Sequence, residues 1–341
     1  MTNFHIDERI YGEPETDATR AGFGRGLTAS GRDDENIVAL CADLTDSTKM
    51  SDFKEAFPER YIEVGVAEQN LVTVASGLAR AGKIPFTSSY AAFNPGRNWE
   101  QIRTTICLND QPVKIIGSHA GLFTGPDGAT HQMLEDITLM RVLPNMVVIA
   151  PGDSIEAEKA TRAIAKNNKP SYLRLAREAT PIFSNDKSPF EIGKAYVLHE
   201  GHDVTLLGTG TMTAPLLKVA QMLAQHNVHA EVVHVPTIKP LDDETILKSV
   251  RKTGRAITAE EAQVKGGFGG AVAELLSEQL PTPLLRLGMN DRFGESGSPK
   301  ELFAHFELDE STITKRIQSF LEKTPRYHQE YYLMYIKRRM I

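Results

Sequence analysis

Short runs of β-branched and apolar residues alternate with longer amphipathic stretches along most of the chain, and this alternation restricts the fold. Strand-length runs separated by helix-length segments are typical of parallel sheets covered by helices. In the first half the predicted strands are 36–40, 61–64, 84–88, 113–117, 146–149 and 171–175. The predicted helices between them are 18–30, 67–81, 99–108 and 153–166.

A second series of the same kind follows a stretch with several prolines and serines at 180–189, a composition typical of a linker. Its predicted strands are 203–207, 231–235, 256–259 and 284–287, and its predicted helices are 212–226, 242–251 and 269–279. A chain of 341 residues is long enough for two domains. We therefore predict an α/β protein with two doubly wound, mostly parallel-sheet domains in tandem, at 17–183 and 191–323, joined by a linker at 184–190.

The composition excludes several classes of protein. With 41% apolar and 24% charged residues the chain is not disordered, and a net charge of −6 gives no reason to expect a nucleic-acid partner. Two cysteines, Cys41 and Cys107, are too few for a disulfide scaffold and favour a reducing compartment. No secretory signal and no apolar run of membrane-spanning length is visible. We expect a cytoplasmic protein that binds neither nucleic acid nor membrane.

Glu68 is the most informative carboxylate, because it lies where the predicted strand 61–64 turns into the helix 67–81. An acid at a helix start is also explained by the helix dipole, which favours it by about 0.3–1 kcal/mol. However, loops at the carboxyl ends of parallel strands are where α/β proteins bind ligands. A carboxyl group there could exchange a proton with a heterocycle. From the residues alone both interpretations stay open.

The loop 117–132 is long and contains four glycines and two histidines, and loops of this length in compact domains are usually functional or mobile. His119, Asp127 and His131 are potential metal ligands. Their spacing of 8 and then 4 residues matches no standard zinc pattern, so we predict no metal site on this chain. Polar contacts to a hydroxyl or phosphate of a small molecule are favoured instead.

Other signals are weak by themselves. The glycines at 208–210 follow a predicted strand but lack the third glycine of a dinucleotide fingerprint, and 265–270 lacks the Lys-Ser/Thr ending of a P-loop. Arg20, Arg174 and Arg177 are each expected, by default, to be solvated surface charges.

Taken in order, six blocks of the sequence resemble the transketolase family. They are TR (19–20), ADLTDS (42–47), RYIEVGVAEQN (60–70), GPDGATHQ (125–132), LRLAR (173–177) and DRFGESG (291–297). The resemblance covers about residues 17–323 and is to the pyrimidine-binding and C-terminal domains of that family. The Gly-Asp-Gly motif of the family's further, diphosphate-binding domain does not occur in the sequence. The resemblance therefore implies the C-terminal subunit of a split transketolase, inactive without a separate N-terminal subunit.

The resemblance also implies a thiamine diphosphate site between subunits. Glu68 matches the glutamate that hydrogen-bonds the aminopyrimidine ring of the cofactor and activates it, which is a catalytic role. Tyr90 and Phe93 match aromatic residues around that ring, and Asp43 matches a residue near the cofactor cleft. One further family aromatic is replaced here, at Gly96. The ligands of a Mg²⁺ or Ca²⁺ ion are expected on the partner subunit.

For the substrate, His131 matches a catalytic residue that faces the reacting end of the sugar together with His119, and Asp127 matches a residue that meets a donor hydroxyl. The family's sugar-phosphate group corresponds here to Arg20, Ser47, His119 and Arg177. The guanidinium fork is suited to phosphate oxygens.

The implied activity is transfer of a two-carbon ketol unit from a ketose phosphate to an aldose phosphate, as in pentose phosphate metabolism. The implied assembly contains two copies of each subunit, with the C-terminal domain mainly in dimer contacts. Three alternatives remain: the beta subunit of a 2-oxoacid dehydrogenase decarboxylase, a deoxyxylulose phosphate synthase-like enzyme, and a non-catalytic scaffold subunit. Neither the particular sugar nor the role of the aromatic and basic tail 324–341 follows from the sequence.

Overall fold

Each of the two series of elements builds its own sheet. The computed structural model describes residues 4–324. The strands of the first half are β1 (Thr16–Asp17), β2 (Ile37–Cys41), β3 (Tyr61–Glu63), β4 (Ile84–Tyr90), β5 (Lys114–Ser118), β6 (Val147–Ile149), β7 (Ser171–Arg174) and β8 (Thr180–Pro181). Its helices are α1 (Thr19–Asp33), α2 (Ser51–Ala56), α3 (Glu68–Arg80), α4 (Trp99–Gln101, continued as a π-helix over Ile102–Cys107), α5 (Asp136–Arg141) and α6 (Ser154–Lys166).

The second half is also built from strands alternating with helices. Its strands are β9 (Tyr196–His199), β10 (Val204–Gly208), β11 (Ala230–His234), β12 (Thr237–Lys239), β13 (Ala256–Gln263) and β14 (Leu284–Met289). Its helices are α7 (Thr213–Ala224), α8 (Asp243–Thr253), α9 (Phe268–Gln279), α10 (Pro299–His305) and α11 (Glu310–Lys323). Short 3₁₀ turns lie at Glu8–Tyr11, Pro58–Arg60, Leu122–Asp127 and Gly210–Met212.

The strand order confirms the predicted α/β class. The seven-stranded sheet has the order β12-β6-β7-β5-β4-β2-β3, and all its pairings are parallel except the edge pair of β12 with β6. The five-stranded sheet has the order β14-β13-β10-β11-β9, in which only β9 is antiparallel. Strands such as β2 and β10 are buried along their whole length, which explains why they are continuous apolar runs.

The two units, each named here for its sheet, exchange one strand. β12 comes from the second half of the chain but completes the sheet of the first half. The sequence does not predict the short elements β1, β8, β9, β12, α2, α5 and α10, which lack a full period of apolar residues, nor does it predict the longer helix α11. The predicted start of α6 is confirmed, since the Asp153 side chain accepts a hydrogen bond from the Glu156 N–H at 2.9 Å.

The stretch 180–189 is fixed in place. β8 pairs with β1 antiparallel, and the Asp153 carboxylate accepts hydrogen bonds from the N–H groups of Phe183 and Ser184. The Lys159 ammonium donates to the backbone carbonyls of residues 185, 186 and 188. The segment predicted to be a linker is thus held against α6. The predicted tail lies, from residue 325 onward, outside the described residues.

A buried ion-pair network joins the two units, and Arg174 is at its centre. Its Nε donates to Asp136 at 2.9 Å and its Nη1 to Glu261 at 3.1 Å, while the Tyr172 hydroxyl donates to the same Asp136 oxygen at 2.8 Å. Asp136 and Glu261 are both fully buried. The expectation that Arg174 is a surface charge is therefore wrong, because two distant carboxylates compensate its charge inside the protein.

A second buried pair crosses the same boundary. His234 on β11 hydrogen-bonds Glu156 on α6 at 2.7 Å, and neither side chain is exposed to solvent.

Among residues 4–324, no helix has both the length and the apolar character required to span a membrane.

We predict that Arg174→Ala lowers the free energy of unfolding by about 3–5 kcal/mol, since it leaves two carboxylates buried without their cation. The matched control is Arg162→Ala, whose partner Asp33 is half exposed. That control is expected to lose less than about 1 kcal/mol. Urea denaturation followed by circular dichroism measures both values. Equal losses in the two variants would contradict a structural role for the buried network.

Candidate functional site

The predicted site residues gather at one edge of the seven-stranded sheet, where its parallel strands end. Loops at this edge are the usual ligand sites of α/β proteins. Residues from four strand ends and from the start of α1 meet here. They are Glu68 after β3, Tyr90 and Phe93 at the end of β4, His119, Asp127 and His131 after β5, Arg177 after β7, and Arg20 on α1.

Glu68 is the first residue of α3, and its side chain is only 2% exposed. Its Oε2 accepts a hydrogen bond from Arg97 Nη1 at 2.8 Å, and its backbone carbonyl accepts one from Asn98 Nδ2 at 2.8 Å. Its Oε1 accepts no hydrogen bond from residues 4–324. A solvated acid at a helix start would not be withdrawn from water in this way. Glu68 is therefore a buried, ion-paired carboxylate, and its role toward a ligand stays a prediction.

Four rings pack together at this edge of the sheet. The ring centroids of Tyr90 and Phe93 are 6.1 Å apart and nearly parallel, and His119 stacks on Tyr90 at 3.8 Å. His131 meets both aromatic rings edge-on, at 6.1 Å from Tyr90 and 5.5 Å from Phe93. The two histidines of the long loop are therefore brought to the aromatic residues of a different loop.

His119 is held in its neutral form. Burial lowers the pKa of its imidazole to about 3, and electrostatic interactions with Arg20, Arg177 and His131 add to this effect. Its Nδ1 hydrogen-bonds the Ser118 hydroxyl at 2.9 Å. Its Nε2 makes no hydrogen bond within residues 4–324, so this nitrogen can interact with an oxygen of a small molecule.

Two guanidinium groups lie on the other side of His119. Arg20 donates to the backbone carbonyl of Arg177 at 2.8 Å and to that of Ser47 at 2.6 Å. Arg177 donates to the Thr124 carbonyl at 3.0 Å and lies 3.5 Å from an Asp127 oxygen. Burial, and then the charge of Arg177, lower the pKa of Arg20. The proximity of two like charges makes this a suitable place for an anion.

Asp43 contacts a different part of the chain from the side chains described above. It is an exposed residue after β2, with a left-handed backbone conformation at φ 60°. Its N–H donates to the Glu63 carboxylate at 2.8 Å, and the same Glu63 oxygen accepts from the Gly65 N–H at 2.9 Å. The structure brings Asp43 to the same edge of the sheet but into no contact with Tyr90 or Phe93. Its role near a cofactor stays a prediction.

The second unit supports the long loop 117–132. Gln132 Nε2 donates both to the Gly125 carbonyl at 3.0 Å and to the Glu295 carbonyl at 2.8 Å. A side chain at Gly294 would overlap the Gln132 amide oxygen, so this close approach requires glycine there. Two separate blocks of the sequence are thereby packed against each other, and together they hold His131 in position.

Three residues of the site were missed by the sequence analysis: Arg97, Asn98 and Gln132. Arg97 follows Phe93 by four residues, and its guanidinium lies 4.5 Å from the centre of the Phe93 ring. An aromatic residue and a cation at a helical spacing of four are the signal that could have revealed this pair. Asn98 and Gln132 bind backbone carbonyls of other loops, which leaves no local pattern in the sequence.

The arrangement fits the aminopyrimidine part of thiamine diphosphate. Such a ring requires an aromatic surface to stack on and a carboxyl oxygen to bond a ring nitrogen. Phe93 and Tyr90 provide the surface, and the buried Glu68 has an oxygen without a partner within residues 4–324. In that part of the chain no group of three or more His, Cys, Asp or Glu side chains is arranged to hold a metal ion.

Comparison with known families gives two matches. The family model described as "Transketolase, pyrimidine binding domain" matches residues 15–182, and the model described as "Transketolase, C-terminal domain" matches residues 193–313. Together they account for most of the chain and agree with the division into two sheets.

Two relatives and one solved structure are similar over nearly their whole lengths. A transketolase C-terminal section from Methanocaldococcus jannaschii is 44% identical over 307 residues, covering 89% of this chain and 96% of the relative. A 6-deoxy-6-sulfo-D-fructose transketolase subunit from a Clostridium species is 41% identical over 290 residues, covering 85% and 90%. A solved structure described as "Split gene transketolase, inactive beta4 tetramer" has a TM-score of 0.84 and 44% identity, covering 89% and 98%.

We predict that His119 makes the fold sensitive to acid. Its pKa is about 3 in the folded chain and about 6.5 when unfolded, so unfolding takes up a proton between these values. The contribution of His119 to the free energy of unfolding is complete above pH 6.5. It is lost as the pH falls from 6.5 to about 3. His119→Asn should remove up to about 1.4 kcal/mol per pH unit from the slope of unfolding free energy between about pH 6 and pH 4.

The control for this measurement is His226→Asn, since His226 is exposed. Urea denaturation at a series of pH values measures the slopes. The control should keep the wild-type slope, and an unchanged slope in His119→Asn would show that His119 is not held neutral by burial.

Proposed function

The chain belongs to the transketolase family, as the subunit that carries its pyrimidine-binding and C-terminal domains, and from this premise we propose its reaction. We infer that, together with a separate diphosphate-binding subunit, it transfers a two-carbon ketol unit from a ketose phosphate to an aldose phosphate. The observation that carries the proposal is the buried Glu68 carboxyl group, whose partner Arg97 also lies over the ring of Phe93 next to Tyr90. When bound, thiamine diphosphate supplies the nucleophilic carbon and the electron sink for breaking the donor's carbon–carbon bond.

Glu68 has the role of a proton partner in this proposal. Its side chain is only 2% exposed, and a hydrogen bond to a ring nitrogen is stronger in such a buried place than in water. Because Asn98 holds the Glu68 backbone and α3 fixes its direction, the carboxyl group is pre-organised for that bond. Phe93 and Tyr90 exclude water and orient the ring.

The two histidines and the two arginines have roles toward the sugar. Neutral His119 can donate to or accept from a sugar hydroxyl without adding charge, and His131 shares the aromatic surface with it. Arg20 and Arg177 provide the positive charge for a terminal anion of the substrate. The sulfo sugar in the name of the Clostridium relative also ends in an anion. We therefore propose a substrate class of sugars with a terminal phosphate or a similar anion, with Asp127 and Ser47 at that end.

The assembly is part of the proposal. The solved relative is described as an inactive tetramer of one subunit type, which supports a requirement for a second subunit. We propose two copies of each subunit, with a Mg²⁺ or Ca²⁺ ion and the diphosphate held by the partner and with Asp43 close to the cofactor cleft. Both cysteines are free and buried, in keeping with a cytoplasmic location.

The proposal is tested by mixing the chain with its N-terminal subunit, thiamine diphosphate and Mg²⁺ and assaying ketol transfer between sugar phosphates. Neither subunit alone should turn over substrate. Formation of 1-deoxy-D-xylulose 5-phosphate or decarboxylation of pyruvate, without ketol transfer, would contradict it in favour of a synthase or a 2-oxoacid decarboxylase subunit.

In that assay Glu68→Gln should lower kcat at least ~100-fold, a loss of about 2.7 kcal/mol in transition-state stabilisation. The amide keeps the shape of the carboxyl group but, unlike a carboxyl group, it cannot give up a proton and take it back. The exposed Glu59→Gln is the control and should retain wild-type kcat. A Glu68→Gln enzyme with near-normal turnover would exclude proton sharing by this residue.

We predict that Arg177→Ala raises KM for phosphorylated sugars at least ~10-fold, because it removes a charged donor to the phosphate. The KM for the corresponding unphosphorylated sugar should change much less. Steady-state kinetics with both substrates measures the difference, with the exposed Arg80→Ala as the control. Equal increases for both sugars would show that Arg177 does not bind the phosphate.

A further inference from the structure

Arg97 makes two contacts that suit a bound aminopyrimidine ring equally well. Its Nη1 donates to Glu68 Oε2 at 2.8 Å, and its guanidinium lies 4.5 Å from the centre of the Phe93 ring. A guanidinium is planar, carries N–H donors and stacks on aromatic faces. An aminopyrimidine shares these three properties. The same carboxylate and the same ring therefore suit either group.

The Arg97 side chain is placed so that it can move, whereas the turn that carries it is fixed. It is 49% exposed, against 2% for Glu68. Apart from Glu68 and Phe93, its guanidinium contacts no hydrogen-bond acceptor, acid or ring within residues 4–324. By contrast, the neighbouring Asn98 is fully buried and bonds both the Glu68 carbonyl and the Asn94 side chain. Arg97 can thus swing outward without disturbing the backbone around Glu68.

The ion pair affects the stability of the chain and the binding of a ligand. A carboxylate withdrawn from water without a cation or a donor is costly, so Arg97 stabilises the chain by compensating it. A ligand that displaces the guanidinium must offset this stabilisation. The ion pair therefore weakens the binding of any such ligand.

We propose that Arg97 occupies the place of the aminopyrimidine ring of thiamine diphosphate beside Phe93, so that cofactor binding at the unpartnered Glu68 Oε1 displaces the guanidinium from Phe93 and from Glu68 Oε2. This inference rests on the proposed function and deepens it. Arg97 is a positioning residue that stabilises the chain and weakens its affinity for the cofactor.

The test uses Arg97→Gln, with the exposed Arg103→Gln from the following helix as the matched control. In the complex with the N-terminal subunit, isothermal titration calorimetry at saturating Mg²⁺ measures the dissociation constant of thiamine diphosphate. Arg97→Gln should bind it about 3- to 10-fold more tightly, the range expected for losing a half-exposed ion pair. Arg103→Gln should leave it unchanged.

The second readout is the thermal unfolding of the full chain without its partner. Arg97→Gln should unfold at a lower temperature than wild type at pH 7, and this difference should disappear in a Glu68→Gln background. Cofactor binding that is weaker or unchanged in Arg97→Gln, or an unchanged unfolding temperature, would overturn the competition. A wild-type complex that binds no thiamine diphosphate would instead overturn the proposed function itself.

Discussion

A carboxylate that is withdrawn from water needs a cation or a hydrogen-bond donor, and Glu68 imposes this requirement on its surroundings. The parallel strands bring their carboxyl ends to one edge, so the donors arrive from several loops that are distant in sequence. Arg97 contacts one oxygen of the carboxylate, and Asn98 holds the backbone. The charge of Glu68 is therefore compensated from another loop, while its second oxygen has no hydrogen-bond partner within residues 4–324.

The sequence predicts the layers of the fold because parallel strands are buried on both faces and carry their signal locally. It also predicts the start of α6, since the Asp153 cap depends on a residue three positions away. It does not predict β12, which finds its partner strand almost ninety residues earlier in the chain. Nor does it reveal that Arg174 is buried, because the two carboxylates that compensate its charge lie at distant positions in the sequence.

The candidate site likewise has features that the sequence predicts and features that it does not. Its aromatic rings, histidines and arginines could be predicted because the resemblance covers each of them by position. The pair of Arg97 with Glu68 could not, since it depends on the path of the turn after β4. The neutral state of His119 likewise results from burial and from two neighbouring arginines, which only the folded chain brings together. The residue types could thus be predicted, but the protonation states and ion pairs could not.

Much of the support for the site comes from the second unit. Gln132 ties the long loop to the Glu295 carbonyl, and Arg174 and His234 join the two units through buried polar contacts. The chain thus holds its half of a site rigidly while the diphosphate-binding half is expected on another polypeptide.

The most direct measurement of the role of Glu68 is a crystal structure of the assembled enzyme with thiamine diphosphate. We expect a Glu68 oxygen within about 2.6–3.0 Å of a pyrimidine nitrogen, with Arg97 turned away. A ring bound elsewhere, or a Glu68 carboxylate directed into bulk solvent, would contradict it.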